Sequence, residues 1–299
     1  MATDRPRRNA LMACAALAVG ALTLTACGGG ATADGSGGQS KTSSASTVAA
    51  GLDYVAMGSS FAAGPSIPPV QSSSGAAACS RSGNNYASIV ARDIGARLTD
   101  VTCSGATTAN ILTTEQGSQP PQINAVNSGT DLVTVTIGGN DANYIGSAVT
   151  YSCQNSGGTN CGSVDRAAMS TALGGVGQKI ENVVNAVHAR APQARVLLVS
   201  YFTLLPDTGG CTGVPLTADQ RTFERGVAAR LGQAYIDAAN HTGATLVRLA
   251  TASHGHDMCA ADPWLEKYKP ASGRATYHAN EAGMKAAAAL VKSALGEGD

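Results

Sequence analysis

Residues 54–65 read YVAMGSSFAAGP, and this stretch sets the expected fold. The apolar run ends at Gly58, which is the pattern of a short buried strand that gives way to a turn. Two serines follow the glycine, and small residues then lead to Gly64-Pro65. In α/β proteins a turn of this kind presents a side chain at the carboxyl edge of the sheet, where ligands bind. Ser60 is therefore our candidate nucleophile.

Segments typical of strands and helices alternate along the rest of the chain. β-Branched runs bounded by glycine predict strands, and apolar residues at helical spacing predict helices. Thr217 and Asn280 are suitable helix N-caps. Alternation of this kind predicts an α/β fold in which helices cover both faces of a mainly parallel, five-stranded sheet, a three-layer α/β/α sandwich. The expected strands are 53–57, 98–102, 131–137, 195–199 and 245–249, and the expected helices are 84–95, 166–190, 217–240 and 281–295.

Composition limits the classes of function. The chain has 299 residues, of which 43% are hydrophobic, and this is enough for one sizeable core. Charged residues make up 13% and the formal net charge is 0, so no basic stripe supports a nucleic-acid partner. No second linker or internal repeat is visible, and we expect one domain over residues 51–299, in a monomer.

The N-terminus has the features of a targeting segment. Three arginines near the start precede an apolar run over residues 11–24, which is short for a membrane span. The run ends in Leu-Thr-Ala-Cys, which resembles a bacterial lipobox with Cys27 as the lipidated residue. We expect a lipoprotein signal peptide over 1–26, a flexible tether over 27–50, and attachment to the outer face of the cell membrane through Cys27. The alternative is an ordinary secretory signal that happens to end in cysteine.

The remaining six cysteines support export. An even number of cysteines in an exported chain favours three disulfide bonds, although six cysteines allow 15 pairings. The sequential pairing closes the shortest loops, and it joins Cys79 to Cys103, Cys153 to Cys161 and Cys211 to Cys259. A metal site is less favoured because the chain has no CxxC pair, and we expect neither a metal nor a cofactor.

Three further groups follow predicted strands or precede the last helix. His278 stands just before the final helix, where the helix dipole disfavours the charged imidazole and suits a neutral base. Gly138-Gly139-Asn140-Asp141 follows the clearest strand, and an asparagine amide there can donate to a developing oxyanion. Gly105 follows another strand and offers a backbone N–H. Each fragment alone is a common turn. Together with the turn at Ser60, however, they make four such fragments in order at the predicted strand ends and before the last helix, and this set indicates an acyl-transfer site.

These motifs resemble the SGNH hydrolases, also called the GDSL lipase and esterase family, over about residues 52–295. The resemblance is greatest to the secreted actinobacterial lipases and esterases of the family, whose three disulfides agree with the six cysteines. It implies the flavodoxin-like SGNH hydrolase fold. It also implies a nucleophile, a general base and an oxyanion hole made of two backbone N–H groups and one side chain. The matching residues are Ser60 as nucleophile, His278 as base, and Ser60, Gly105 and Asn140 as the oxyanion donors.

Two positions depart from the family pattern. The usual aspartate of the first block is Ser59, whose hydroxyl can brace the turn through a hydrogen bond. The position three residues before the base, where the family often has the acid of a triad, is Ala275. A Ser–His dyad is the simplest interpretation, with a backbone carbonyl such as that of Ala275 orienting the imidazole. Asp262 or Asp257 could supply the acid from across the fold.

The expected activity is a serine ester hydrolase of the carboxylesterase or lipase type, which cleaves acyl esters through an acyl-enzyme. Aromatic residues make up only 4%, which leaves few side chains that could stack against sugar rings. Acyl chains are therefore favoured as substrates. Long polar segments at 66–78 and 142–161 are the expected rims of the pocket. The alternatives are a carbohydrate acetylesterase or acyltransferase on the same fold, and a non-catalytic lipoprotein that binds a lipid or a glycan.

Overall fold

The computed structural model describes residues 51–270 and 273–296. The expected signal peptide, Cys27 and the tether lie outside these residues. Within the described range, no helix combines the length and the apolar character needed to cross a membrane.

A single parallel sheet forms the centre of the fold. Its strand order is β2-β1-β3-β4-β5, and every neighbouring pair is parallel. The inner strands are almost wholly buried, as apolar runs covered on both faces require. The strands are β1 (Asp53–Gly58), β2 (Arg97–Asp100), β3 (Leu132–Thr136), β4 (Arg195–Val199) and β5 (Thr245–Val247).

Helices flank this sheet and complete the predicted three-layer sandwich. The helices of the described residues are α1 (Ser60–Ala63), α2 (Ser74–Ala78), α3 (Tyr86–Ile94), α4 (Thr108–Leu112), α5 (Tyr144–Asn155), α6 (Arg166–Arg190), α7 (Ala218–Thr242), α8 (Leu249–Ala252) and α9 (Glu281–Leu295). α3 packs against α9, and α6 packs against α7. The predicted N-caps are present, since the side chains of Thr217 and Asn280 accept hydrogen bonds from the first turns of α7 and α9.

The expected rim at residues 142–161 is largely helical, because α5 occupies 12 of its residues. Glycine, serine and β-branched residues in this segment are weak helix formers, so local preference does not indicate a helix. Contacts with other elements stabilise α5 in place of local helix propensity. The buried Ser147 and Ser152 hydroxyls bond to Glu224 and Tyr277, which lie on other elements.

Three disulfide bonds join the six cysteines in sequential order. They are Cys79–Cys103, Cys153–Cys161 and Cys211–Cys259. The first bond ties the end of α2 to the segment after β2, just before Gly105. The second closes a short loop after α5, and the third joins the segments that follow β4 and α8.

Candidate active site

Ser60 is the first residue of α1 and lies directly beyond the carboxyl end of β1. The turn needs glycine at position 58, because its φ is +139° and a Cβ there would lie 2.4 Å from the Thr136 carbonyl oxygen. The Ser59 N–H donates to that same carbonyl at 2.9 Å, which fixes the turn against β3. Ser60 itself is 9% exposed, so its hydroxyl sits in a confined site at the sheet edge.

A buried glutamine, Gln122, stabilises the turn before Ser60 through two hydrogen bonds. The Gln122 side-chain amide donates to the Gly58 carbonyl at 3.0 Å, and its Oε1 accepts from the Gly58 N–H at 2.7 Å. Both backbone groups of Gly58 are therefore satisfied by one side chain. This residue was missed in the sequence, because a glutamine 64 positions away carries no local sign of such a contact.

His278 faces Ser60 across the site. Its Nε2 lies 2.8 Å from Ser60 Oγ, and its Nδ1 lies 2.7 Å from the Thr276 carbonyl oxygen. A carbonyl can only accept, so Nδ1 carries the proton and Nε2 is free to accept from the serine. Burial lowers the pKa of His278 below its usual value, and the hydrogen bond to Thr276 opposes part of this shift. The neutral imidazole that a general base requires is thereby favoured.

The carbonyl that orients the imidazole belongs to Thr276 and not to Ala275, which corrects one of our expectations. The Ala275 carbonyl instead accepts from the backbone N–H of His278 at 3.3 Å. The cause is Tyr277, whose left-handed φ of +60° turns the chain so that the nearer carbonyl meets the ring. Its hydroxyl bonds to Ser152 on α5 at 2.6 Å, which anchors the turn.

Neither candidate carboxylate bonds to His278. The Asp262 side chain is 80% exposed, and its carboxylate lies 3.8 Å from the ring of His256. The Asp257 carboxylate accepts from the Cys259 N–H at 2.7 Å. The expectation that Asp262 or Asp257 orients the base is therefore wrong in this structure, because both carboxylates are directed to other partners.

The three expected oxyanion donors lie on neighbouring segments at the sheet edge. In the described part of the chain, neither the Ser60 N–H nor the Gly105 N–H donates to a protein acceptor, so both remain available. Asn140 is exposed, and its amide donates to the Ala106 carbonyl at 2.8 Å, which leaves its second N–H unused in that contact. This bond ties the asparagine to the segment that carries Gly105.

Asp141 strengthens the same connection. Its carboxylate accepts from the N–H and the hydroxyl of Thr108, at 3.0 and 2.6 Å, and it forms an ion pair with Lys179 at 3.2 Å. The aspartate after Asn140 thus clamps the loop after β3 to the start of α4. We infer that its role in the Gly-Gly-Asn-Asp motif is to keep the distance between Gly105 and Asn140 fixed.

Tyr201 connects the nucleophile turn with the asparagine loop. Its hydroxyl accepts from the Gly139 N–H at 2.9 Å and lies 3.5 Å from Ser59 Oγ. A Cβ at Gly139 would lie 2.5 Å from this hydroxyl, so only glycine permits the approach. Burial raises the pKa of Tyr201 to about 12, and the hydroxyl stays protonated. Its position two residues beyond β4 was the sequence signal that could have revealed it.

A buried ion pair supports the segment that carries Gly105. The Arg81 guanidinium donates twice to the Thr102 carbonyl, at 2.9 and 2.8 Å, and lies 3.4 Å from Asp100. The Asp100 carboxylate accepts from Thr102 and Asn85, while burial raises its pKa. Together with the Cys79–Cys103 bond, this network fixes the chain just before Gly105.

A cleft of about 500 Å³ borders the candidate site on the side of Asn140. Most of its lining residues have polar side chains, and they come from α4, the loop after β3 and α6. The polar lining residues include Thr107, Thr108, Thr113, Asn140, Lys179 and Asn182. In the described ranges, no group of three or more histidine, cysteine or acidic side chains is placed to hold a metal ion.

The chain is similar to known proteins in sequence and in fold. Residues 56–286 match the GDSL-like lipase/acylhydrolase family. The chain is 36% identical to Lipase 2 of Streptomyces coelicolor over 257 residues, which cover 82% of this chain and 86% of that lipase. It is 32% identical to a lipase of Streptomyces rimosus over 71% of this chain and 75% of the relative.

Two crystal structures share the fold at 30% sequence identity. One is an extracellular lipase from Streptomyces rimosus, with a TM-score of 0.67 over 81% of this chain and 99% of that one. The other is a phospholipase A1 from Streptomyces albidoflavus NA297, with a TM-score of 0.66 over 82% of this chain and 99% of that one.

Proposed function

Because the chain belongs to the GDSL-like lipase/acylhydrolase family and is a carboxylic ester hydrolase, we propose that it cleaves acyl esters with a Ser60–His278 dyad. The observation that carries the proposal is the 2.8 Å contact between Ser60 Oγ and an imidazole whose other nitrogen is held by a carbonyl. In the first step His278 Nε2 accepts the serine proton as Ser60 Oγ bonds to the ester carbonyl carbon.

The negative charge then develops on the former carbonyl oxygen. In our proposal the N–H groups of Ser60 and Gly105 and the Asn140 amide donate to this oxygen. The imidazolium gives its proton to the leaving alcohol, and an acyl-enzyme remains on Ser60. Water attacks the acyl-enzyme with the same base, and the acid product leaves. The Thr276 carbonyl stabilises the imidazolium, as the carboxylate of a triad does in part.

The test of the dyad is hydrolysis of short-chain p-nitrophenyl esters by Ser60→Ala and His278→Ala. We expect kcat to fall by at least about 10³-fold in each variant, since removal of a member of such a unit abolishes most of the catalysis. His256→Ala, which removes a histidine outside the site, is the matched control and should keep its activity. Near-native activity in either dyad variant would overturn the assignment.

Covalent labelling separates an enzyme from a binding protein. A fluorophosphonate should modify the wild-type chain at Ser60 and leave folded Ser60→Ala unmodified. Absence of labelling on folded wild-type protein would favour a non-catalytic lipid- or glycan-binding role.

For the substrate, we propose esters of aliphatic acyl chains. The hydroxyl, amide and ammonium groups that line the cleft beside Asn140 can hydrogen-bond to the alcohol part of such an ester. A relative named a phospholipase A1 makes phospholipid one substrate to include. Hydrolysis rates across acyl chain lengths, a phospholipid and an acetylated sugar would rank the lipase and the carbohydrate acetylesterase interpretations. Preference for the acetylated sugar would overturn our choice.

We also propose that the chain is exported and attached to the membrane through a lipid on Cys27. The three disulfide bonds are typical of proteins that fold in an oxidising compartment. Expression of Cys27→Ser in a bacterial host should move the protein from the membrane fraction to the soluble exported fraction. An unchanged distribution would argue against lipidation.

A further inference from the structure

A cavity of about 400 Å³ lies between α7 and the segments that follow β4 and β5. No residue of the proposed dyad or oxyanion hole lines it. Its volume lies within the usual range for small-molecule sites, and most of its wall is apolar. The aliphatic part of the wall includes Leu204, Leu205, Ala228, Leu231, Ile236 and Leu246.

Glu224 on α7 is one of the residues that line this cavity, and it is 2% exposed. Its Oε1 accepts from the Ser147 hydroxyl at 2.7 Å, whereas its Oε2 has no hydrogen-bond partner in the described residues. A buried acceptor without a partner destabilises a fold, and such groups are rare. The hydrogen bond from Ser147 explains why one carboxylate oxygen is buried, but it does not explain the burial of the second.

Three tyrosine rings line the same cavity. The ring centroids of Tyr144 and Tyr201 are 6.0 Å apart, and those of Tyr201 and Tyr235 are 6.2 Å apart. The hydroxyls of Tyr201 and Tyr235 are already bonded to the backbone of the loop after β3. The rings are therefore the part of these residues that is left for a ligand. Aromatic rings attract cations through their negative faces.

We propose that this cavity binds a primary alkylammonium ion, with the ammonium beside Glu224 and the alkyl chain along the aliphatic wall. A primary ammonium brings three donors and a positive charge to an unpartnered acceptor. The last torsion of a glutamate side chain is broad, so the carboxylate can turn its free oxygen toward a ligand. This binding does not depend on the proposed ester hydrolysis.

The charges around the cavity favour a cation at its buried part. Glu224 is buried, whereas Arg248 is exposed and would attract an anion only weakly through water. The half-buried Arg225 also lines the cavity, but its guanidinium already donates to the carbonyls of Pro206 and Gly209. Burial raises the pKa of Glu224 to about 7, and the nearby Arg166 opposes this shift. The other charged or titratable groups that line the cavity or face Glu224 are Tyr144, Asp207, Arg225, Arg248 and Tyr277.

Isothermal titration calorimetry with hexylammonium chloride at pH 8 tests the proposal, with hexan-1-ol and sodium hexanoate as matched ligands. We expect hexylammonium to bind at least about tenfold tighter than either. At pH 5.5 the ligand keeps its charge, whereas most of the Glu224 carboxylate becomes protonated, because burial raises its pKa to about 7. The affinity should then weaken severalfold or more.

Three variants locate the site. Glu224→Gln keeps an oxygen for Ser147 but removes the charge, and it should weaken hexylammonium binding by about tenfold or more. Gly232→Leu should block binding, because Gly232 lines the cavity and a Cβ there meets open space. Gly226→Leu is its control, since Gly226 is an exposed position of the same helix that does not line the cavity. Both leucines improve helix propensity, so folding is not at risk.

Five results would overturn the proposal. Four are no binding of hexylammonium below about 10 mM at pH 8, equal affinity in Glu224→Gln, tighter binding of hexanoate, and equal loss of binding in the two leucine variants. Equal affinity for hexanol would show a purely apolar cavity and would also overturn the assignment of a cation.

Discussion

Tyr201→Phe is the most informative single change near the candidate site, because it deletes one hydroxyl that joins two catalytic segments. The Gly139 N–H would lose its acceptor at 2.9 Å, while the 3.5 Å contact with Ser59 is too long to add much. An unpaired buried N–H destabilises the fold by about 1–3 kcal/mol. For a domain of this size each kcal/mol lowers Tm by about 2–4 °C. We therefore expect a decrease in Tm of about 2–12 °C.

The same change should also slow catalysis. Gly139 precedes Asn140, so a displaced Gly139 moves the amide that is proposed to face the oxyanion. Complete loss of one oxyanion donor lowers kcat by about 10²–10³-fold. A donor that is displaced but still present keeps part of its stabilisation of the oxyanion. We therefore expect kcat to fall by about tenfold or more, with KM within about twofold. The assay is hydrolysis of p-nitrophenyl butyrate at temperatures below unfolding.

Tyr235→Phe provides the matched control. The Tyr235 hydroxyl is equally buried and bonds to the N–H and carbonyl of Ile137, at 2.8 and 2.7 Å, two residues before Gly139. Its loss should lower Tm by a similar amount and change kcat by less than about threefold. If both variants lost stability and kcat in parallel, or if Tyr201→Phe kept its kcat within about twofold, Tyr201 would have no positioning role.

Three further outcomes are expected. Because burial lowers the pKa of His278, the acidic limb of kcat/KM should have its midpoint below the usual value of about 6.5, and activity should be lost as pH falls through it; a midpoint above 7 in a pH–rate profile would contradict this. Replacing Cys79 and Cys103 together by serine should lower the free energy of unfolding by about 3–4 kcal/mol, as expected for a separation of 24 residues. Denaturant unfolding measures this change, and an unchanged midpoint would contradict it. Gln122→Ala should lower kcat more than it raises KM, because Gly58 loses two hydrogen bonds; a change in KM alone would oppose a role in holding the nucleophile turn.

The strands and the main candidate residues were readable from the sequence because their signals are local. A buried parallel strand is a short apolar run, and a glycine marks its end in β1 and β3. Ser60 and Asn140 come directly after such ends, and the topology of parallel sheets brings these ends to one edge. Position along the chain was enough to predict that these residues lie at the same edge of the sheet.

The supporting residues were not readable, because their contacts depend on tertiary geometry. The Thr276 carbonyl faces His278 only because Tyr277 adopts a left-handed conformation, and a tyrosine carries no sequence sign of that conformation. Gln122 reaches Gly58 across 64 positions. α5 is stabilised by hydroxyl contacts with distant elements and not by the helix propensity of its residues.

The two departures from the family pattern have a common physical consequence. An aspartate beside the nucleophile or three residues before the base would bring a titrating carboxylate into contact with the dyad. Ser59 and the Thr276 carbonyl replace these groups by neutral ones, and the pKa of Tyr201 is raised to about 12, so that it also stays neutral. In the described residues the side chains of Ser60 and His278 bond to each other and to the Thr276 carbonyl, and among these groups only the imidazole changes charge between pH 4 and 9. The acidic limb of the rate profile should therefore follow a single proton, because orientation by a carbonyl does not weaken as pH falls, whereas orientation by a carboxylate does.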